Sequence, residues 1–188
     1  MNIIQQMYTW NGHLDQRADT RYIILHHRAG DGDAMSIHKQ HQTLGYAGIG
    51  YHFYVRKSGE VFKGRPIGSV GAHTAGANHL SIGVCFEGNF EKEQMPKAEL
   101  DAGRKLMWYL KSLYPRGEFK KHCDFQNTLC PGANFPFEQI CREEDEMTVE
   151  DAVEIIQAKV GLEDETIDFL LCYRYGDELV VKLAEALR

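Results

Sequence analysis

The sequence has no long apolar run. No stretch of its 188 residues approaches the ~20 consecutive apolar residues that a membrane-spanning helix needs. Residues 1–21 also lack the basic segment followed by an apolar segment that is typical of a secretory signal. These absences argue against an integral membrane protein and against membrane insertion. They predict synthesis as a soluble protein in the cytoplasm.

The sequence also lacks a disulfide framework, an internal repeat and any low-complexity segment. Its five cysteines are an odd number at irregular spacings, so we expect reduced thiols, of which at least one is available to a metal. With 43% hydrophobic and 26% charged residues, the composition is ordinary for a globular protein. No nucleic-acid partner is expected.

Charge divides the chain into two parts. Residues 1–142 contain 17 Lys and Arg against 13 Asp and Glu, whereas residues 143–188 contain 4 against 14. A break of this size predicts two domains, 1–142 and 143–188.

The first part carries strand signals. RYIILH (21–26) and SIGVCFEG (81–88) are short apolar runs typical of buried strands. GYHFYVRKSGEVFKGR (50–65) contains two such runs around a Lys-Ser-Gly turn, which predicts a hairpin.

Two helices are predicted between these strands and after them. SIHKQHQTLG (36–45) begins with Ser36 as a candidate N-cap and ends at glycine. After Pro96, leucines at 106, 110 and 113 form one apolar helix face. Hairpin, buried strands and helices together predict an α/β fold with a central mixed β-sheet flanked by helices.

The C-terminal part reads as a small all-α appendage of three helices. Thr148 is the expected N-cap of the first helix, with Asp151 in place of the usual Glu or Gln of a capping box, and Gly161 ends it. Three roles stay open for this part: binding of a sugar polymer through Tyr173 and Tyr175, a homodimer contact, or an acidic solvated face without a specific partner. Its negative charge argues against simple attraction to an anionic polymer.

The segment KHCDFQNTLCPG places His122 and Cys130 on either side of a short polar loop, and Pro131-Gly132 fixes the thiol. Imidazole and thiolate are suitable zinc ligands, and a catalytic zinc site takes three protein ligands and leaves one position open. His26 or His27, at the end of a predicted strand, would supply the third ligand. Because side chains alternate along a strand, only one of the two can face a given site. The spacing does not exclude His38 and His41, three residues apart on a helix.

These motifs carry a family resemblance. HHRAG (26–30), GYHF (50–53), GAHTAGANHLSIGVC (71–85) and HCDFQNTLCPG (122–132) follow one another as they do in the zinc-dependent N-acetylmuramoyl-L-alanine amidases. More narrowly, the chain resembles the type-2 amidase family of phage lysozyme-type amidases and peptidoglycan recognition proteins. The resemblance covers about residues 20 to 140.

The resemblance implies a site and a cofactor. It places the ligands of one Zn²⁺ ion per chain on His26, His122 and Cys130. It makes Tyr51 the catalytic tyrosine, which orients water or substrate, and Thr128 a hydrogen-bond donor to the developing oxyanion. His73 and Asn78, in the glycine-rich loop, are the expected substrate-binding residues. An alternative for Asn78 is that it only caps a polar loop.

The sequence departs from the family pattern at two positions. Thr128 stands where the family has lysine or threonine and differs from the lysine members in having no positive charge, so any oxyanion contact is a hydrogen bond and not an ion pair. Gly48 stands two residues before GYHF, where phage members often carry an acidic residue. The first departure bears on rate and the second on loop structure.

The resemblance implies hydrolysis of the amide between N-acetylmuramic acid and L-alanine in peptidoglycan, by a phage or prophage endolysin that reaches the wall after release, with the help of a holin. A host amidase that recycles the wall is a close variant. Two other classes stay open: a module of the same fold that recognises peptidoglycan or regulates a protein without catalysis, and a thiol hydrolase with Cys130 as nucleophile and His122 as base. Inactivation by a chelator would distinguish zinc hydrolysis from the thiol enzyme.

Overall fold

The computed structural model describes residues 2–142 and 148–187. The chain divides into two compact units, Met1–Arg142 and Glu143–Arg188. The charge break in the sequence predicts a domain boundary at the same place, between residues 142 and 143. Residues 143–147 lie outside the described residues.

The first unit is built on one mixed sheet. Among the described residues the sheet has six strands: β1 (Ile3–Gln5), β2 (Tyr22–His27), β3 (Phe53–Val55), β4 (Val61–Lys63), β5 (Ser81–Phe86) and β6 (Glu118–Lys121). Their order across the sheet is β1-β4-β3-β5-β2-β6. β3 and β4 form the predicted antiparallel hairpin, and the other neighbours run parallel. The mixed sheet predicted from the sequence is therefore confirmed.

Three helices accompany this sheet: α1 (Ala34–Thr43), α2 (Lys97–Leu113) and α3 (Phe137–Cys141). Side chains alternate along each strand, so both faces of the sheet present apolar residues, and a helix packs on each face. Ile23 and Leu25 of β2 pack in one cluster with Leu106 of α2. Tyr54 of β3 and Cys85 of β5 pack in another with Ile37 of α1. Successive residues of β2 therefore face α2 and α1 in turn, and His26 lies on the α1 face.

Two details of the predicted helices are wrong. The N-cap of α1 is Asp33, whose side chain accepts a hydrogen bond from the Ser36 backbone N–H, so Ser36 lies inside the helix. Leu113 is 47% exposed because the buried stripe of α2 ends at Leu110 and Leu113 is the last helical residue.

The second unit contains α4 (Val149–Val160), α5 (Asp164–Leu171) and α6 (Gly176–Leu187). The capping box of Thr148 and Asp151 is present, and Gly161 ends α4 with a left-handed φ of 72°. Its own core centres on five buried side chains: Ala152, Ile156, Ile167, Val180 and Ala184.

Among the described residues, no helix combines the length and the apolar character needed to cross a bilayer.

Candidate metal centre

His26 lies at the C-terminal end of β2 and is 1% exposed. Its Nε2 is 3.1 Å from Nδ1 of His73 and 3.3 Å from Oγ1 of Thr74. Its Nδ1 is 3.8 Å from Sγ of Cys130. One ring nitrogen is thus held by neighbours within the fold, and the other points toward the thiol.

The loop between His122 and Cys130 is closed by its own backbone. His122 begins a 3-10 turn directly after β6, and the Cys123 N–H donates to the Cys130 carbonyl at 3.0 Å. Gly132 has a φ of 105°, and a Cβ there would lie 2.5 Å from the Phe90 carbonyl carbon. Only glycine fits this approach, so the turn after the thiol depends on it.

These two elements bring three side chains together. The candidate ligand atoms of His26, His122 and Cys130 all lie within 4.8 Å of one another. Two imidazoles and one thiol are the donor set of a catalytic zinc site with one open position. The cluster can hold a metal ion.

Partners outside the cluster orient both imidazoles. The Nε2 of His122 lies within hydrogen-bond distance of Oε1 of Gln126, as Nε2 of His26 does with His73 and Thr74. Such contacts fix the tautomer and the ring direction of a metal-binding histidine.

Protonation in the cluster follows from its burial. Burial lowers the pKa of His26 well below its ordinary value, and the charges of His122 and His27 lower it further. Burial raises the pKa of the Cys130 thiol to about 12, although the His27 N–H, which donates to Sγ at 3.4 Å, opposes the shift. A neutral imidazole suits a metal, and a cation is needed to hold the thiolate at neutral pH.

Tyr51 lies beside the cluster. Its ring centroid is 5.1 Å from that of His26 and 5.6 Å from that of His41. Burial raises the pKa of the phenol well above its ordinary value, with further increases from Cys85 and Cys130. The hydroxyl is therefore a hydrogen-bond donor at neutral pH.

Thr128 is tied to the thiol through the backbone. Its Oγ1 accepts a hydrogen bond from the Cys130 N–H at 3.2 Å. The hydroxyl hydrogen is not used in this contact and can be donated elsewhere.

His73 and Asn78 have internal partners. His73 is 9% exposed and sits behind His26, while the Asn78 side chain accepts from the backbone N–H groups of His73 and Thr74, both at 2.8 Å. Asn78 thus caps its loop, which agrees with the alternative role given for it from the sequence. Substrate binding by these two residues stays a prediction.

The rival histidines contact the backbone. His27 faces the other side of the sheet and accepts from the Phe90 N–H at 3.2 Å. His38 accepts from the Ile49 N–H, and His41 accepts from the Gly50 N–H.

The glycine that departs from the family pattern has a steric reason. Gly48 has a φ of 149°, and a Cβ at this position would collide with the His38 ring. The His38 ring of α1 therefore fills the space that a side chain at position 48 would need.

Sequence reasoning missed Gln126 and Thr74. Gln126 follows His122 by four residues, a spacing that brings two side chains to one face of a helical turn, and Thr74 adjoins His73. Either signal is local and could have been used.

The chain matches known proteins over the part that holds this cluster. Residues 16–133 match the family model described as N-acetylmuramoyl-L-alanine amidase. The chain is 32% identical to the endolysin of Klebsiella phage KP32 over 125 residues, 62% of this chain and 83% of the relative. It is also 32% identical to peptidoglycan recognition protein 1 of Bos taurus over 130 residues, 62% of this chain and 68% of that protein.

Among solved structures, the N-acetylmuramoyl-L-alanine amidase LysC from Clostridium intestinale URNW is similar with a TM-score of 0.73 and 33% identity. The match covers 87% of this chain and 99% of LysC, more than residues 1–142 alone could supply. The similarity therefore extends into the second unit. With the family model, the sheet and the cluster in agreement, the chain belongs to the N-acetylmuramoyl-L-alanine amidase family.

Proposed function

We propose that this chain hydrolyses the amide bond between N-acetylmuramic acid and L-alanine in peptidoglycan and acts as a phage or prophage endolysin. The observation that carries the proposal is the meeting of His26, His122 and Cys130, whose ligand atoms lie within 4.8 Å of one another. The similarity to phage endolysins and to LysC supports the substrate and the reaction.

We assign the metal as zinc, one ion per chain, held by His26, His122 and Cys130. The donor set fits zinc, and the contacts that orient the two imidazoles support the assignment. When bound, zinc supplies Lewis-acid polarisation of a carbonyl and acidifies a water molecule.

Tyr51 and Thr128 act on the substrate as hydrogen-bond donors. The raised pKa of Tyr51 keeps its phenol protonated, so it orients the attacking water or the scissile carbonyl and does not act as a base. The Thr128 hydroxyl, tied to the Cys130 N–H through its oxygen, donates its hydrogen to the developing oxyanion.

The thiol chemistry of Cys130 argues against the alternative cysteine hydrolase. A nucleophilic cysteine needs a lowered pKa in the absence of metal, whereas burial raises the pKa of the Cys130 thiol, so that a bound cation is needed to ionise it. Cys130 is therefore a ligand in this proposal.

The test compares Cys130→Ser with Cys123→Ser. Cys123 is exposed and lies in the same loop, so its substitution controls for loss of a thiol. We expect about one zinc per chain by elemental analysis in the parent and in Cys123→Ser. We expect loss of both zinc and the clearing of purified cell walls in Cys130→Ser.

The other outcomes separate the alternatives. A zinc-free parent that clears walls, resists chelator and is inactivated by alkylation would favour the cysteine hydrolase. Zinc binding without release of stem peptides would favour a recognition module.

The second unit and the route to the wall are also proposals. We assign residues 1–142 to catalysis and the helices of 148–187 to wall binding or to a homodimer, since Phe169, Tyr173 and Tyr175 expose their rings. Light scattering on the full chain measures the dimer, and pull-down with purified walls measures binding. Lysis that starts only when a holin is expressed with the chain would support release from the cytoplasm.

A further inference from the structure

Arg28 follows β2 in a bend that the backbone holds firmly. Its N–H donates to the Phe86 carbonyl at 2.8 Å, and Gly30 and Gly88 exchange two hydrogen bonds of 3.1 and 2.9 Å. Between them, Ala29 has a φ of 59°, a left-handed conformation that is costly for a residue with a Cβ and concentrates at functional sites. The position of Arg28 is thus fixed in advance.

The charge of Arg28 lies beside the metal cluster, because it acts on Tyr51, whose ring lies against that of His26. Arg28 continues the ladder of β2 two residues after His26, so the two side chains leave the same face of the sheet. Its positive charge lies close enough to lower the pKa of both His41 and Tyr51. Burial is the larger effect on each: it also lowers the pKa of His41, but it raises the pKa of Tyr51.

One nitrogen of the Arg28 guanidinium lacks a partner there. Its Nε is buried and has no hydrogen-bond acceptor among the described residues. The buried carboxylate just past β5, Glu87, is already occupied by Arg56 Nε at 3.2 Å and by the N–H groups of Gly32 and Lys57 at 3.0 and 3.1 Å. Burying a charged donor without an acceptor costs free energy, and this cost is recovered when an anion binds.

A guanidinium is suited to a carboxylate, because its planar fork can donate two parallel hydrogen bonds. Two residues of strand separate the Cα atoms of His26 and Arg28 by about 7 Å, roughly two residues of an extended peptide. For a stem peptide that runs from the cluster along the direction of β2, the second residue therefore comes within reach of Arg28.

We propose that Arg28 binds the carboxylate of the second stem-peptide residue and makes the chain select stems in which this carboxylate is free over stems in which it is amidated. This inference rests on the proposed amidase function.

The test uses two N-acetylmuramoyl peptides of equal length that differ only in a carboxylate or a carboxamide at the second residue. We expect the parent chain to hydrolyse the carboxylate form with a kcat/KM about ten- to a hundredfold higher, the range of a charge-assisted hydrogen bond. Arg28→Gln is expected to bring the ratio close to one, and Arg28→Lys to retain part of it.

The control is Arg21→Gln, at the other end of β2. Arg21 is exposed and pairs with Asp19 at 3.0 Å, so its substitution removes the same charge without touching the site and should keep the parental ratio. Equal rates on both peptides in the parent, or an unchanged ratio in Arg28→Gln, would overturn the inference. The first of these outcomes needs no folded variant.

Calorimetric binding of the same peptides to Cys130→Ser separates this inference from the proposed function. If the parent chain hydrolyses neither peptide but Cys130→Ser binds the carboxylate form more tightly, and the added Arg28→Gln removes the preference, the inference stands and the amidase proposal fails. Binding of both forms with equal affinity to Cys130→Ser overturns the inference.

Discussion

The two units of this chain are stabilised differently. The sheet of the first unit is buried on both faces, and the unit contains buried polar groups that include His26, His52, Arg65, Glu87 and Glu99. The second unit centres on five buried side chains, two of them alanines, and leaves Phe169 62% exposed.

A chain can keep buried reactive groups only where its core is large enough to offset their cost. Each buried polar group costs free energy unless it is paired, and only a large apolar core can offset several of them. His52, for example, is satisfied by the Gly83 N–H and the Ser69 carbonyl. The core of the second unit, among its described residues, centres on five buried side chains and is too small to offset several such groups.

The largest expected effect comes from removing the metal. We expect a chelator to lower the free energy of unfolding of the first unit by about 4 kcal/mol, which is the stabilisation given by a ligand present at a thousand times its Kd. The transition temperature of this unit should fall accordingly. The transition of the second unit should stay in place, because its described residues contain no cluster of three metal-ligating side chains. Differential scanning calorimetry of the full chain measures both.

Added zinc should restore the first transition. If both transitions fell together in the chelator, the two units would not be independent in stability, and if neither moved, the cluster would hold no metal.

The sequence was sufficient for the elements with strong local signals. The apolar runs of β2 and β5 and the Lys57-Ser58-Gly59 turn of the hairpin have simple patterns, and the structure contains all three. β6 was missed because three of its four residues are charged, so that its pairing with β2 decides its conformation. β1 and α3 have three and five residues, too short for a periodic pattern.

The site was predictable where its residues are close in sequence. His122 and Cys130 share one loop, but the choice of His26 over His27 needed the family resemblance, since alternation alone allows either. The contact of His73 with His26 joins a loop to the end of β2 across 47 residues of sequence. The unpaired Nε of Arg28 is visible only once its neighbours are placed.

The two units should also differ in their response to pH because of Glu99, a buried acid of α2. Neither carboxylate oxygen has a hydrogen-bond partner of normal geometry among the described residues, although the Glu87 N–H opposes part of the pKa shift. Burial, followed by the negative charge of Glu87, raises the pKa of Glu99 from 4.5 to about 8.

The sign follows from proton binding. Between pH 4.5 and about 8, the folded state keeps a proton that the unfolded state has released, so stability falls as the pH rises. Glu99→Gln removes this loss. We expect the difference in free energy of unfolding between variant and parent to be larger at pH 9 than at pH 5, in favour of the variant, by on the order of 3 kcal/mol. Urea denaturation at both pH values measures the difference.

The matched control is Glu178→Gln in the second unit. Glu178 is an exposed acid that pairs with Lys182, so its substitution should change stability little at either pH. An equal pH response in both variants would contradict the assignment to Glu99.

The smallest expected effect compares one helix cap in each unit. Thr148 Oγ1 accepts from the Asp151 N–H at 2.9 Å, and Asp33 Oδ1 accepts from the Ser36 N–H at 2.7 Å. Thr148→Ala and Asp33→Ala should each cost about 1 kcal/mol. Because a small unit has a smaller entropy of unfolding, the same loss shifts its transition further, by roughly 8 °C against about 3 °C in the first unit.

Calorimetry of the two alanine variants checks this ratio, with Thr148→Ser and Asp33→Asn as controls that retain a capping oxygen. Shifts of equal size would mean that the second unit unfolds with the first as one cooperative block. We expect each shift to be confined to the unit that carries the substitution and to be larger for Thr148→Ala. This result would show that the helices of 148–187 unfold separately. It would also show that they are marginally stable, since a single cap is then a large part of their free energy of unfolding.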